Sequence, residues 1–125
     1  MHTPTAMVTL CSVILACLVP WNVWGHALPQ RSDPTVGATL TVSPPWVRIW
    51  FDALLEPAFS RLQVQTVSGQ RLDKNDAQVN PTDATLLEVP LPSLPPGTYR
   101  VLWSVVARDG HRTEGEYTFT IQQGH

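Results

Sequence analysis

The sequence predicts an all-β domain, a small Greek-key sandwich or barrel of immunoglobulin-like type with about seven strands, behind an N-terminal signal peptide. Three observations carry that expectation. From Thr39 onward, short alternating apolar and polar segments follow one another, with turn residues between them. Twelve prolines stand against seven glycines in 125 residues, and proline is hostile to helix interiors. After Gly25 no stretch shows a helical period longer than a single turn, expected between Asp52 and Ala58.

Residues 6–24 form an apolar run without one charge, broken by Pro20 and Asn22 and ending at Gly25. A hydrophobic stretch, a breaker, and Val23 and Gly25 at the −3 and −1 positions read as a signal peptide of residues 1–25, cleaved before His26. The first five residues depart from the pattern by carrying no Lys or Arg. Two other readings stay open: an uncleaved single-span anchor, since the run approaches the ~20 residues a spanning helix needs, and a lipoprotein processed at Cys17. Cleavage before His26 leaves a domain of residues 26–125, which keeps all eight basic and all ten acidic residues. Both cysteines (Cys11, Cys17) and both methionines (Met1, Met7) go with the signal, so thiolate and thioether chemistry go too.

Within that domain the strands follow in turn. Weak candidates lie at residues 28–32 and 39–42. At 47–52 the alternation puts Val47, Ile49 and Phe51 on one face and Arg48, Trp50 and Asp52 on the other. At 61–66 Leu62 and Val64 point inward. Residues 86–91, 98–106 and 115–121 complete the set. Pro44-Pro45, Ser68-Gly69, Asn80-Pro81 and Pro95-Pro96-Gly97 separate them. The polar stretch 72–84 has no core pattern and is expected to be a surface loop.

A formal net charge of −2 gives no footprint for nucleic acid. There is no Gly-x-Ser-x-Gly elbow, no Gly-rich phosphate loop and only one lysine, Lys74, so nucleophilic and nucleotide chemistry have no machinery. Glu114 and Glu116 share a strand face and are expected to be exposed rather than paired across a cleft. His125, as a terminal residue, is expected to be solvated.

Two other histidines are more suggestive. A mature chain starting at His26 offers two nitrogens from one residue, the α-amine and ring Nδ1, whose protons a metal can displace near neutral pH. Asp109-Gly110-His111 adds a carboxylate and an imidazole, on one side of the chain if the backbone is extended. Asp-Gly is equally a strong hairpin-turn dipeptide. Together His26, Asp109 and His111 make three nitrogens and one oxygen without sulfur, a set suited to tetragonal Cu(II); zinc accepts similar ligands.

The residues from His26 onward resemble the CopC-type periplasmic copper-binding proteins of copper resistance. The resemblance rests on His26-Ala27, Ser32-Asp33-Pro34, Val47-Arg48-Ile49-Trp50-Phe51 and Glu56-Pro57-Ala58-Phe59-Ser60. It continues through Leu94-Pro95-Pro96-Gly97-Thr98-Tyr99-Arg100-Val101, Trp103-Ser104-Val105-Val106, Asp109-Gly110-His111 and Gly115-Glu116-Tyr117-Thr118-Phe119. It implies a Greek-key β fold and a Cu(II) site of His26, Asp109 and His111. A methionine-rich Cu(I) loop is missing from this chain, which implies a Cu(II)-only member. Where the family often has Phe-Ser-Glu, this chain has Phe51-Asp52-Ala53, leaving Asp52 or Glu56 to replace that glutamate.

The function this implies is an exported, periplasmic Cu(II) carrier or buffer, not an enzyme. It would be monomeric, with an integral-membrane partner of the CopD type. Two readings compete: a copper-dependent oxidase or monooxygenase with an N-terminal histidine site, and a metal-free Ig-like interaction module with Trp50 as a contact.

Overall fold

In a computed structural model the described residues are 27–123; the expected signal peptide, Cys17, His26 and His125 lie outside them. Eight strands form two four-stranded sheets: β1 (Pro29–Asp33), β2 (Thr39–Leu40), β3 (Trp46–Phe51), β4 (Arg61–Thr66), β5 (Gln78–Asn80), β6 (Asp83–Pro90), β7 (Gly97–Val106) and β8 (Arg112–Ile121). One sheet has the order β1-β3-β6-β5 and the other β2-β8-β7-β4. Only β5–β6 and β7–β8 join as neighbouring hairpins, so the chain crosses repeatedly between layers. The expected sandwich is the observed one.

Alternation decides which side chains fill the space between the sheets. Val47, Ile49 and Phe51 of β3 are buried, as are Leu62 and Val64 of β4. Tyr99, Val101 and Val105 of β7 and Tyr117, Phe119 and Ile121 of β8 meet them from the second sheet. Each tyrosine sends its polar tip to a carbonyl: Tyr99 donates to Pro95, and Tyr117 donates to Pro34 at 2.9 Å. Trp103 lies edge-on to Phe51, with ring centroids 5.3 Å apart, and rests directly on Gly115.

The outward faces carry the polar partners of these strands. On the first sheet Arg48 stacks over Trp46 and pairs with Glu88 at 2.9 Å, while Arg31 stacks over Trp50. Trp50 is thus half-buried under a guanidinium. On the second sheet Glu116 pairs with Arg100 at 3.0 Å across the β7–β8 hairpin, and Glu114 is exposed.

Four expectations need correction. There are eight strands rather than about seven, because the stretch 72–84 is not simply a loop: it contains β5 and the start of β6. Asp73 in that stretch is buried, and its Oδ1 accepts the Val64 N–H at 2.8 Å. β8 begins at Arg112 and not at 115, since backbone pairing of Arg112 with Val106 and Thr113 with Val105 holds residues that have no apolar pattern. The single turn falls at Pro57–Phe59, where proline suits the start of a 3-10 turn.

Candidate metal centre

The tip of the β7–β8 hairpin carries Asp109 and His111. Ala107 N–H donates to the His111 carbonyl at 2.9 Å and Gly110 N–H to the Ala107 carbonyl at 2.8 Å, closing a tight turn. Gly110 sits at φ +97°, a conformation that side chains other than glycine's rarely adopt. Asp109 Oδ1 accepts the His111 N–H two residues on, at 3.1 Å, a local Asx-type bond. The same oxygen lies 3.2 Å from His111 Nδ1.

The same-side geometry expected from an extended strand is therefore corrected. The hairpin-turn reading of Asp-Gly-His is the observed one, and the turn brings the two side chains together. Both groups are open to solvent, with Asp109 44% and His111 55% exposed. When Nδ1 carries a proton toward Asp109, the ring is oriented and Nε2 is the ring atom able to ligate.

Two segments pack beside this tip. Residues 52–56 run along the base of the hairpin: Leu55 bridges to Ala107, Arg108 N–H donates to Leu54 O at 3.0 Å, and Glu56 N–H donates to Val106 O at 2.8 Å. The second is the beginning of the described chain. Ala27 is fully buried, and its carbonyl accepts the Thr113 hydroxyl at 2.7 Å, two residues past His111. Leu28 N–H donates to Asp52 Oδ1 at 2.7 Å, and Asp52 N–H returns a bond to Leu28 O at 3.0 Å.

Asp52 thus has a task that sequence reasoning missed. Its carboxylate ties down the N-terminal arm, and Ala53 behind it packs against the core. Glu56 meets the hairpin through its backbone. No sequence signal marks Thr113 as an anchor, because its partner lies 86 residues away. Among the described residues no group of three His, Cys, Asp or Glu side chains is placed to hold one ion. Among them, Asp109 and His111 form a pair.

A two-sheet β-sandwich with an Asp-x-His hairpin tip is the class this chain defines, and comparison with known proteins narrows it. The CopC domain model matches residues 29–122. Protein YobA of Escherichia coli (strain K12) is 35% identical over 112 residues, covering 89% of this chain and 90% of that protein. The crystal structure of CopC from Methylosinus trichosporium OB3b matches with a TM-score of 0.75 at 27% identity, covering 80% of this chain and 97% of that one. A copper transport protein of Bacillus subtilis (strain 168), CutJ, is 27% identical over 110 residues; the match takes in 87% of this chain but only 20% of CutJ. The chain belongs to the CopC family, whose proteins serve copper transport and resistance as carriers rather than as enzymes.

Proposed function

We propose that this protein is exported to the periplasm, loses residues 1–25, and carries one Cu(II) ion held by His26, Asp109 and His111. The observation that supports this most is the anchoring of Ala27 to Thr113. The first residue of a mature chain would then start from a fixed point beside the hairpin that bears His111. Its α-amine and imidazole, the His111 ring and the Asp109 carboxylate form the three-nitrogen, one-oxygen set that Cu(II) favours.

The openness of the pair supports a carrier over a store. An exposed ligand pair lets an incoming donor from another protein reach the ion before the first ligands leave. The receiving partner is an integral-membrane copper transporter of the CopD type, and the carrier itself is a monomer. In CutJ the matching segment is a fifth of a longer copper transport chain, which supports a carrier domain working beside a transporting unit.

Intact mass and N-terminal sequencing of the exported protein, with Cu(II) titrated into the same sample, test the reading. The expected result is a chain starting at His26 that binds one Cu(II), with binding lost in His111→Ala. A chain starting at Met1 or Cys17, or copper uptake indifferent to His111→Ala, would overturn it.

A further inference from the structure

We propose that Asp52 and Thr113 are positioning residues for the amino-terminal copper donors, a role that rests on the proposed site and adds two residues to it. Four independent ties fall on two consecutive residues. The Ala27 methyl is sealed in the core, and the Ala27 carbonyl accepts the Thr113 hydroxyl at 2.7 Å. The Leu28 N–H donates to the Asp52 carboxylate at 2.7 Å, and the Leu28 carbonyl accepts Asp52 N–H at 3.0 Å. From Pro29 the chain enters β1.

Only the side-chain ties have a clear purpose at this location. β1 is already held to β3 from Pro29↔Phe51 through Asp33↔Arg48, so the strand does not need them. They fix the two residues before the strand, and so define the point from which residue 26 departs. Thr113 lies in β8 two residues after His111, which sits in the turn leading into that strand, and Asp52 lies in the segment that runs along the hairpin base through Leu54 and Leu55. The clamp thereby references the N-terminal arm to the same hairpin that carries Asp109 and His111. A donor leaving a fixed backbone loses less conformational freedom on binding metal than one on a frayed arm, so the clamp raises affinity without touching the ion.

The test compares Thr113→Val and Asp52→Ala, which delete the acceptor or donor, with Thr113→Ser and Asp52→Asn, which retain it. Cu(II) affinity is measured on the mature chain by competition with a chelator, and the copper environment is read by electron paramagnetic resonance at sub-stoichiometric copper. Loss of one tie should weaken binding by roughly two- to tenfold, the factor of one net hydrogen bond. It should also add a second Cu(II) spectrum with fewer nitrogen couplings, which loss of fold stability alone would not produce. Thr113→Ser and Asp52→Asn should restore the single wild-type spectrum. Unchanged affinity and spectrum in Thr113→Val and Asp52→Ala, with wild type binding normally, would overturn the clamp alone. A wild-type chain that takes up no Cu(II) would instead overturn the proposed site, and the clamp's purpose with it.

Discussion

Replacing Asp73 by alanine should cost about 2–3 kcal/mol of stability while leaving copper binding intact. Asp73 Oδ1 accepts the Val64 N–H at 2.8 Å in the middle of β4, and Oδ2 accepts Arg71 Nη2 at 2.9 Å and Asn75 N–H at 3.1 Å. Alanine leaves the Val64 N–H buried without its acceptor, a loss of roughly 1–3 kcal/mol. The ion pair adds little, because the Arg71 side chain is 39% exposed. For a domain of this size each kcal/mol moves Tm by about 4–8 °C, so thermal unfolding should fall by roughly 8–24 °C. Asp73→Asn should not rescue it, since an amide NH₂ in place of Oδ2 would face the Arg71 and Asn75 donors. Burial raises the Asp73 carboxyl, but Arg71 and the Val64 and Asn75 N–H groups outweigh it and hold the group below its ordinary 3.8. A depressed folded value means that ionised Asp73 stabilises the fold above about pH 4, and that this share is lost as pH falls through the folded value. The wild-type advantage should therefore narrow on acidification. Unfolding curves for both proteins from pH 7 to pH 2 check this; a Tm difference under about 2 °C at pH 7 would refute the reasoning.

Three further outcomes follow from single contacts. Gly115→Ala should cost about 1–3 kcal/mol, since its Cβ would lie 2.4 Å from Trp103 Cζ2 and the indole is braced by Phe51; denaturant unfolding measures it, and a neutral result would mean that Trp103 has room to move. Tyr117, pushed up to about 12 by burial, should resist ionisation. Its raised folded value contributes about 2–3 kcal/mol below pH 10 that is lost between pH 10 and about 12; phenolate absorbance near 295 nm should lag that of free tyrosine until the fold opens, and normal titration in a folded chain would contradict this. One extra glycine before His26 should weaken Cu(II) binding at least about tenfold by moving the α-amine out of reach of the clamped arm; a competition titration showing no change would sink amine ligation.

The fold was legible where one face of a strand is apolar. Arg61–Thr66 was readable to the residue because Leu62 and Val64 alternate with Gln63 and Gln65, and β3 for the same reason. β5 was not, because only Val79 of its three residues is apolar, and its pairing with β6 is a backbone matter. Asp73 escaped notice because a charged residue in a polar stretch reads as solvated. Nothing local says that its carboxylate turns inward to an N–H nine residues back.

The candidate site shows a different limit. Asp109 and His111 were legible because a two-residue spacing is local information: whichever backbone carries it, the two side chains stay neighbours. Strand or turn could not be decided from the sequence, since Asp-Gly serves a hairpin and a ligand pair alike. The structure shows a turn in which the Asp109 oxygen that accepts the His111 N–H is also the one that faces the imidazole. The anchoring of Ala27 and Leu28 was illegible, because Thr113 and Asp52 find them across 86 and 24 residues. The proposed copper site, a chain end and a hairpin tip, would therefore depend on residues that carry no metal signature. Resemblance names the proposed donors, and the hydrogen bonds on Ala27 and Leu28 tie the start of the described chain to the hairpin strand and to Asp52.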